Sequence, residues 1–488
     1  MPTYDVVIRN GRVMDPESGL DAQLNVAIHG RSIAAVTASP VVGSLVVDAA
    51  GLVVAPGFID LHSHAQGLAE HRLQAMDGVT TALELEAGMA PVKRALQKMS
   101  QEGRPLNYGF SASWAAIRMQ VMADLPLRAS FDDIMKGMSI GAWRAPANRS
   151  QRDHIMAALE SEIADGALGI GVLLGYAPEV DPAEYLALAN VAAVSEVPTF
   201  THARSLVEQE PNILIDGATE IATAARETGA HMHYCHINST SSFYLERAAE
   251  LMDEADKEGA KVSTEGYPYG AGMTAIGSAP LDPDRIHILG ARATDVVYAR
   301  TNERMSGADR LREVRRQDPG GLAFIHYYDE AASRDRLLQA IAAPGRIIAS
   351  DAIPITPDGP YDHNAWPLPP NGTTHPRTAG TFARALRVAV RESGTLTLMD
   401  ALAKCTILPA RVLETCSPAM SRKGRVQVGC DADLVVFDPA TVTDQATYQS
   451  TTQPSTGFRQ VLVNGTRVVA DGELVTEARP GRAVRGRT

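Results

Sequence analysis

The chain has 488 residues, of which 45% are hydrophobic and 21% are charged, and its formal net charge at pH 7 is −12. Such a composition is typical of a globular protein with a large core. The length exceeds the roughly 250–300 residues of a usual single domain, so we expect one large domain and a smaller one. The acidic balance argues against a nucleic-acid partner, because phosphate binding requires clustered Lys and Arg.

Neither a targeting segment nor a membrane helix is evident in the sequence. Residues 1–5 (MPTYD) lack the basic and apolar regions of a signal peptide, and no stretch reaches the ~18 apolar residues of a membrane helix. The cysteines are too few and too scattered for a disulfide framework or a CxxC zinc site: Cys235, Cys405, Cys416 and Cys430. We therefore predict a cytoplasmic protein with buried thiols and no membrane partner, and we leave open whether it forms a homo-oligomer.

Short β segments punctuated by turns occur at both ends of the chain. They are residues 4–8, 23–28 and 32–36 near the start, and 433–438 and 460–463 near the end. Between them, apolar strand-like runs alternate with Ala-rich helical segments, of which the clearest are 151–163, 182–194 and 217–228. This alternation predicts an α/β fold, a (β/α)8 TIM barrel with a small β-sandwich domain built from both chain termini.

We place the domain boundaries where the texture of the sequence changes. The β-sandwich domain takes residues 1–55 and 415–488, and the barrel takes residues 56–414. From about 277 to 345, charged residues, Pro and Gly dominate and no metal-ligand residue stands out, so we predict a late insertion there. The insertion would either cover the mouth of the site or form a peripheral subdomain, and the sequence leaves both open.

The most informative motif lies at residues 58–64 (FIDLHSH), where two imidazoles stand two residues apart after an apolar run. Side chains at i and i+2 of a strand point the same way, so His62 and His64 can present nitrogens to one metal ion. Two polar residues at a strand end would show the same pattern. Three later segments favour the metal, because each closes a short apolar or small-residue run: 201–204 (THAR), 234–236 (YCH) and 349–351 (ASD).

The later segments fall where a barrel carries its catalytic groups, at the carboxyl ends of the strands. His202 follows one predicted strand directly. The next strand leaves a choice open, because His231, His233 and His236 compete and His236 is nearest the end. Asp351 follows a further strand, and we predict that it is both a metal ligand and the general base that later protonates a leaving amine. A cap for the following loop is the other role for this Asp.

The second predicted strand, residues 80–88 (TTALELEAG), carries two carboxylates inside an apolar run. Glu84 and Glu86 face the same way, and burying either charge is costly unless a cation compensates it. Glu86 lies nearer the carboxyl end of the strand. It is our prediction for a ligand that bridges two metal ions, with Glu84 second, and pairing with Arg or Lys is the alternative.

A set of short motifs spans nearly the whole chain. They are 55–64 (APGFIDLHSH), 78–81 (GVTT), 166–169 (GALG), 201–204 (THAR), 267–269 (YPY), 375–377 (HPR), 380–382 (GTF), 408–410 (LPA) and 429–434 (GCDADL). With these motifs the chain resembles the amidohydrolase superfamily and, within it, the N-acyl-D-amino-acid deacylases, or D-aminoacylases. The first and last motifs are typical of the whole superfamily, whereas YPY, HPR and GTF point to the deacylase branch.

This resemblance implies a barrel with an attached β-sandwich, one or two Zn²⁺ ions and hydrolysis of a linear amide, with release of a carboxylate and a free D-amino acid. It favours His236 over its neighbours. By motif, His202 and His236 would bind the tighter zinc, His62 and His64 a weaker one, and Asp351 would be the base.

The resemblance also implies the residues that hold the substrate. Arg377 and Tyr267 would bind the substrate carboxylate and polarise the scissile carbonyl. A guanidinium fork suits a planar carboxylate. We therefore expect the partner of this protein to be a small molecule that bears a carboxylate.

Two departures from the family pattern stand out. Those deacylases carry a bridging Cys in an Asn-Cys-Gly segment, where this chain has Glu86-Ala87-Gly88. A glutamate offers a harder oxygen ligand, which would shift metal preference or stoichiometry. In the second departure, a Lys expected to help bind substrate is replaced by Asn238, and Arg204 is the cation we consider as a compensating substrate contact.

A second enzyme class shares the HxH opening. Hydantoinases and dihydroorotases hydrolyse cyclic amides and commonly use a carboxylated Lys as the bridge, but no Lys ends a predicted central strand here; Lys93 follows Pro91 in a loop. Cyclic-amide hydrolysis is therefore the runner-up, and a lactone hydrolase would use the same residues. A barrel that has lost catalysis is disfavoured, because the four histidines and Asp351 are all present.

Overall fold

The computed structural model describes residues 3–487. The described range leaves out Met1, Pro2 and Thr488, which lie at the ends of the predicted terminal domain. Residues 1–5, in which we predict no targeting signal, are therefore described only from Thr3 onward. The amino-terminal strands are β1 (Thr3–Asp15), β2 (Leu20–His29), β3 (Ser32–Thr37), β4 (Val42–Asp48) and β5 (Val53–Pro56). Strand β1 pairs antiparallel with β2 and parallel with β4 and β5.

Seven strands then follow in parallel and build most of a barrel. They are β6 (Phe58–Asp60), β7 (Val79–Met89), β8 (Asn107–Ser113), β9 (Ile170–Val172), β10 (Thr199–Thr201), β11 (Met232–Tyr234) and β12 (Val262–Gly266). Every residue of β7 is buried, including both of its glutamates. Strands buried on both faces are expected where helices cover the outside of a parallel sheet.

Helices alternate with these strands and cover the barrel. They are α1 (Leu68–Met76), α2 (Val92–Glu102), α3 (Trp114–Ala123), α4 (Phe131–Gly137), α5 (Arg149–Ala164), α6 (Pro182–Val194), α7 (Gly217–Thr228), α8 (Ile237–Thr240) and α9 (Leu245–Lys257). The three helical segments predicted from the sequence are α5, α6 and α7. Their starts follow ordinary capping chemistry: Asp181 caps α6 ahead of Pro182, and Asp216 caps α7.

The register of the central strands aligns their carboxyl ends. Thr201 of β10 lies beside Tyr234 of β11, which in turn lies beside Thr264 of β12. The residues that follow these three positions therefore emerge at one level of the barrel. Two of them are His202 and Glu265.

An antiparallel sheet interrupts the barrel between its seventh and eighth strands. Its strands are β13 (Ala271–Ala275), β14 (Val296–Tyr298), β15 (Glu303–Arg304) and β16 (Leu322–His326), and helix α10 (Ala308–Gln317) packs with it. Helix α11 (Arg334–Ala342) follows the sheet and contacts β12 of the barrel. It has its own apolar cluster, which includes Leu281, Val296 and Ile325. The first strand of this sheet starts slightly before the predicted insertion boundary.

The eighth barrel strand is β17 (Ile347–Ile348), which pairs with β12. The ring closes just beyond it, where Ser63 and Ala352 form a parallel bridge. Asp60 ties the same seam by accepting from the backbone N–H of Ser350 at 3.0 Å and from its hydroxyl group. Burial raises the pKa of Asp60 to about 7, and these hydrogen bonds act against that rise.

The remaining elements lead out of the barrel and back to the first sheet. They are β18 (Thr356–Pro357), β19 (Gly372–Thr373), α12 (Arg377–Ala385), α13 (Leu398–Cys405), α14 (Ile407–Leu413), β20 (Leu434–Phe437), β21 (Phe458–Val463), β22 (Thr466–Ala470) and β23 (Glu473–Leu474). Strand β20 pairs antiparallel with β5, which joins both ends of the chain in one sheet. The predicted fold class, a (β/α)8 barrel with a separate sheet from both termini, is confirmed, whereas the exact domain boundaries stay predictions.

Apolar clusters fill each layer and the seam between them. Phe58, Val435 and Phe458 belong to one cluster that joins the barrel to the terminal sheet. The four cysteines are buried and free. None of the helices within residues 3–487 combines the length and the apolar character needed to cross a membrane.

Candidate metal centre

One carboxylate, that of Glu86, lies at the centre of four imidazoles. Its Oε1 is 2.7 Å from Nε2 of His236 and 3.1 Å from Nδ1 of His202. Its Oε2 is 3.3 Å from Nε2 of His62 and 3.6 Å from Nε2 of His64. Each oxygen therefore faces one pair of histidines, which is the arrangement expected of a group that bridges two cation positions.

Asp351, which follows the eighth barrel strand β17, completes this cluster. Its Oδ1 is 3.5 Å from Nε2 of His62 and 3.4 Å from Nε2 of His64. Its backbone adopts φ +52°, and that of His236 adopts φ +29°. Non-glycine residues seldom adopt such angles, and the strain they store is concentrated at functional sites.

Two further carboxylates hold the outer nitrogens of the HxH pair. Glu84 lies 2.7 Å from Nδ1 of His64, and Glu265 lies 2.5 Å from Nδ1 of His62. A carboxylate behind a histidine fixes its tautomer and orientation, and such partners commonly stand behind metal-binding imidazoles. Glu84 is thus one step removed from the cluster in which Glu86 lies.

Glu265 is not among the site residues predicted from the sequence. It follows Thr264 near the carboxyl end of β12, so the strand-end rule that found the histidines would have found it too. Oε2 of Glu265 also lies 3.0 Å from Nε2 of His233, so His233 contacts the cluster through Glu265. Nδ1 of His236 instead lies 3.0 Å from the hydroxyl of Ser239.

The buried carboxylates of the cluster shift the pKa values of His62 and His64. Burial acts to lower the pKa of His62, but Glu86, Asp351 and Glu265 raise it well above its ordinary value. In the same way Glu84 and Asp351 raise the pKa of His64 against the effect of burial. An excess of buried carboxylate therefore surrounds the two rings and favours positive charge between them.

Arg377 pairs with the carboxylate of Asp351 from the other side. Its Nη2 is 2.7 Å from Oδ2 of Asp351, and its Nε donates to the backbone oxygen of the same residue at 2.5 Å. The guanidinium lies over the ring of Tyr267, with 4.7 Å from Cζ to the ring centroid. Burial acts to raise the pKa of Asp351, but Arg377 and His62 outweigh it, so that pKa lies below its usual value.

Two polar atoms at this edge of the cluster are buried without a hydrogen-bond partner among residues 3–487, Nη1 of Arg377 and the hydroxyl of Tyr267. Burial raises the pKa of Tyr267 to about 12, so the phenol keeps its proton at neutral pH. Unpaired buried donors are rare in native proteins. Both atoms are therefore available to a bound group.

Two side chains that we predicted as substrate contacts have polar atoms engaged within the fold. Arg204 is buried in an ion pair with Glu220, at 2.8 Å, and donates to the backbone oxygen of Val180. Its side chain is therefore used within the fold. Asn238 bonds the backbone of Tyr267 through both ends of its amide, at 3.3 and 3.4 Å, so it helps to position Tyr267.

A pocket opens onto the cluster. Three residues on its wall were not predicted. The ring of Phe131 stacks on His64 at 4.4 Å, and Tyr176 lies against His202 at 4.5 Å. Tyr327 comes from the segment after β16, so the inserted sheet contributes to the wall of the pocket.

These residues fit a zinc centre. Imidazole nitrogen and carboxylate oxygen are ligands that Zn²⁺ accepts. Ligand atoms of two overlapping sets lie within 4.8 Å of one another, His62 with His64 and Asp351, and His62 with Glu86 and His236. The buried carboxylates supply the negative charge that a divalent cation would offset.

The chain belongs to the amidohydrolase family. The family model matches residues 45–135 and 130–469, which together cover most of the chain. The protein is thus a hydrolase that acts on amide bonds, as predicted.

Individual relatives extend over nearly the whole chain. The N-acyl-D-glutamate deacylase of Alcaligenes xylosoxydans xylosoxydans is 30% identical over 99% of this chain and 96% of its own length. The N-acyl-D-aspartate deacylase of the same organism is 26% identical over 98% and 95%. Among solved structures, the N-acyl-D-glutamate deacylase of Bordetella bronchiseptica, complexed with zinc and a phosphonate inhibitor, has a TM-score of 0.77 at 24% identity and covers 99% of this chain and 100% of its own.

Proposed function

We propose that this protein is a zinc-dependent deacylase that hydrolyses an N-acyl-D-amino acid to a carboxylate and a free D-amino acid. The position of Glu86 between two pairs of imidazoles carries the proposal, because it resembles a centre for one or two metal ions. Three relatives that each cover at least 95% of this chain are an N-acyl-D-glutamate deacylase, an N-acyl-D-aspartate deacylase and a D-aminoacylase, which supports this reaction over others of the family.

Six residues would hold the metal. They are His62, His64, Glu86, His202, His236 and Asp351. When bound, zinc would activate water and polarise the scissile carbonyl. Glu86 would take the bridging place that a Cys thiolate holds in the family pattern, and its oxygen ligand favours a harder cation than sulfur does.

The proton transfers fall to Asp351. Its Oδ1 faces the HxH pair, while Oδ2 is held by Arg377 at 2.7 Å. Asp351 would accept a proton from the attacking water and deliver it to the leaving nitrogen, so that the amine departs neutral. The bond from Arg377 fixes the direction from which the carboxylate approaches.

Tyr267 and Arg377 would bind the substrate carboxylate. Both present a buried donor without a partner in the described chain, and the two side chains are stacked on each other. A planar guanidinium next to a phenol can share one carboxylate by charge-assisted hydrogen bonds. This arrangement would place the amide of an N-acyl amino acid next to the histidine cluster.

The test is amine release by the zinc-reconstituted protein from matched N-acetyl and N-formyl D- and L-amino acids. We expect turnover with D-substrates and loss of turnover in Asp351→Asn. Turnover confined to hydantoin or dihydropyrimidine substrates would replace the proposal by cyclic-amide hydrolysis. No turnover on either set would refute both.

A further inference from the structure

The pocket above the cluster has two regions of different chemistry. One is the polar floor, formed by the histidines, Glu86, Asp351 and Tyr267. The other is an apolar wall, and its main members are Phe131, Met135, Leu173, Met273, Leu289 and Ile353. The wall combines barrel loops with the inserted sheet.

Positive charge is missing from this wall. Among residues 3–487, neither a Lys nor an Arg lines the pocket. Arg377 pairs with Asp351, and the proposed function already assigns its free Nη1 to the main carboxylate of the substrate, so it leaves no cation for an acidic side chain. In the adjoining cavity, which shares Leu289 with the pocket, Arg285 is paired with Glu210 at 2.9 Å.

We infer that the side chain of the amino-acid substrate is apolar and uncharged, and that Leu289 helps to select it. This inference rests on the proposed function, and it departs from the acidic substrates in the names of the two Alcaligenes relatives reported above. An acidic side chain would lose its hydration against an apolar wall without gaining a cation. It would also lie close to a centre already crowded with carboxylates.

An apolar substrate side chain should gain binding free energy at this wall, whereas an acidic one should lose it. A methyl-rich side chain buries its surface against Met273, Leu289 and Phe131, and each added methylene in such a pocket is worth about 10–200-fold in discrimination. We therefore expect kcat/KM to fall in the order leucine, glutamine, glutamate. The glutamine derivative has nearly the size of the glutamate one, so the last step isolates charge.

The first experiment compares N-acetyl-D-leucine, N-acetyl-D-glutamine and N-acetyl-D-glutamate. We expect kcat/KM for the leucine derivative to exceed that for the glutamate derivative by roughly 10²-fold. In parallel, calorimetry measures the binding of the three compounds to the zinc-loaded Asp351→Asn variant. Glutamate equal to or better than glutamine in either assay overturns the inference.

The binding assay separates this inference from the proposed function. If turnover is absent but the three compounds bind in the expected order, the deacylase proposal fails and the apolar pocket stands. If none of the three binds, the inference fails as well.

A charge introduced into the wall tests Leu289 itself. This side chain is only half-buried, so replacement is compatible with the fold. Leu289→Arg should raise the ratio of glutamate to leucine binding by roughly tenfold over the neutral control Leu289→Gln. An unchanged ratio removes Leu289 from the selecting wall.

Discussion

Replacing Glu86 by Gln tests the centre most directly. The carboxylate of Glu86 faces four imidazoles, with oxygen–nitrogen distances from 2.7 to 3.6 Å. Gln keeps the size of the side chain and one acceptor oxygen, but it removes the negative charge and turns an NH₂ group toward one pair of rings. We therefore expect Glu86→Gln to lose metal while the fold is retained.

The removed charge sets the magnitude. Two unit charges about 4 Å apart at an effective dielectric constant of about 20 interact by about 4 kcal/mol, which corresponds to roughly 10³-fold in affinity. Glu84→Gln is the matched control, because it makes the same change two residues away on the same strand. Among the four imidazoles the Glu84 carboxylate contacts only His64, at 2.7 Å, while its other oxygen accepts from the backbone N–H groups of Ala87 and Gly88. Loss of such an orienting group typically costs about 10–100-fold in metal affinity.

The assay is zinc affinity by competition with a chromophoric chelator, together with zinc content after identical dialysis. Thermal unfolding of the metal-free variants checks that both fold as the parent does. A larger loss in Glu84→Gln than in Glu86→Gln would move the bridging role to Glu84. Unchanged zinc affinity in both variants would refute the argument that a cation compensates these buried carboxylates.

The other predictions concern separate parts of the molecule. Asp351→Asn should keep most of its zinc but lose turnover by several orders of magnitude, and near-normal turnover would remove Asp351 from proton transfer. Glu265→Gln should weaken zinc binding by about 10–100-fold, because it removes the carboxylate behind one ligand ring; the chelator assay measures this, and an unchanged affinity would argue against that role. Arg204→Met should lower the free energy of unfolding in urea by about 3–5 kcal/mol by leaving Glu220 buried without its partner, and a selective loss of kcat/KM in the folded variant would return Arg204 to the substrate site. Burial lowers the pKa of His231 from 6.5 to about 4; the unfolded chain then binds more protons between these values, so stability rises with pH across that window. His231→Gln should flatten this rise by at most about 3 kcal/mol, and unfolding midpoints at pH 4.5 and 7 would show whether it does.

The gathering of the histidines followed from a simple rule of barrel topology. Residues directly after parallel strands emerge at one end of the barrel, and the structure brings His62, His202, His236 and Asp351 together there. The in-register pairing of β10, β11 and β12 explains why separate loops deliver their side chains at one level. The choice among the histidines near β11 needed the family resemblance, because spacing alone left it open.

The rule failed for side chains whose direction depends on their partners. Arg204 lies two residues after His202, yet it turns to Glu220 on α7, a helix whose packing cannot be read from the THAR motif. Asn238 likewise bonds the backbone of Tyr267, a residue far along the chain. Such contacts are set by tertiary packing, and a single sequence carries no signal for them.

The apolar wall shows a different limit, because its residues come from five separate stretches of the chain that no motif connects. Phe131 belongs to α4 on the barrel, whereas Met273 and Leu289 belong to the inserted sheet and its loops. The centre needs fixed ligand atoms at fixed distances, which motifs preserve. The wall needs only a suitable shape and uncharged side chains, and many different combinations of residues meet these two requirements. Family membership therefore bears on the amide chemistry at Glu86 more firmly than on the amino-acid side chain that the pocket accepts.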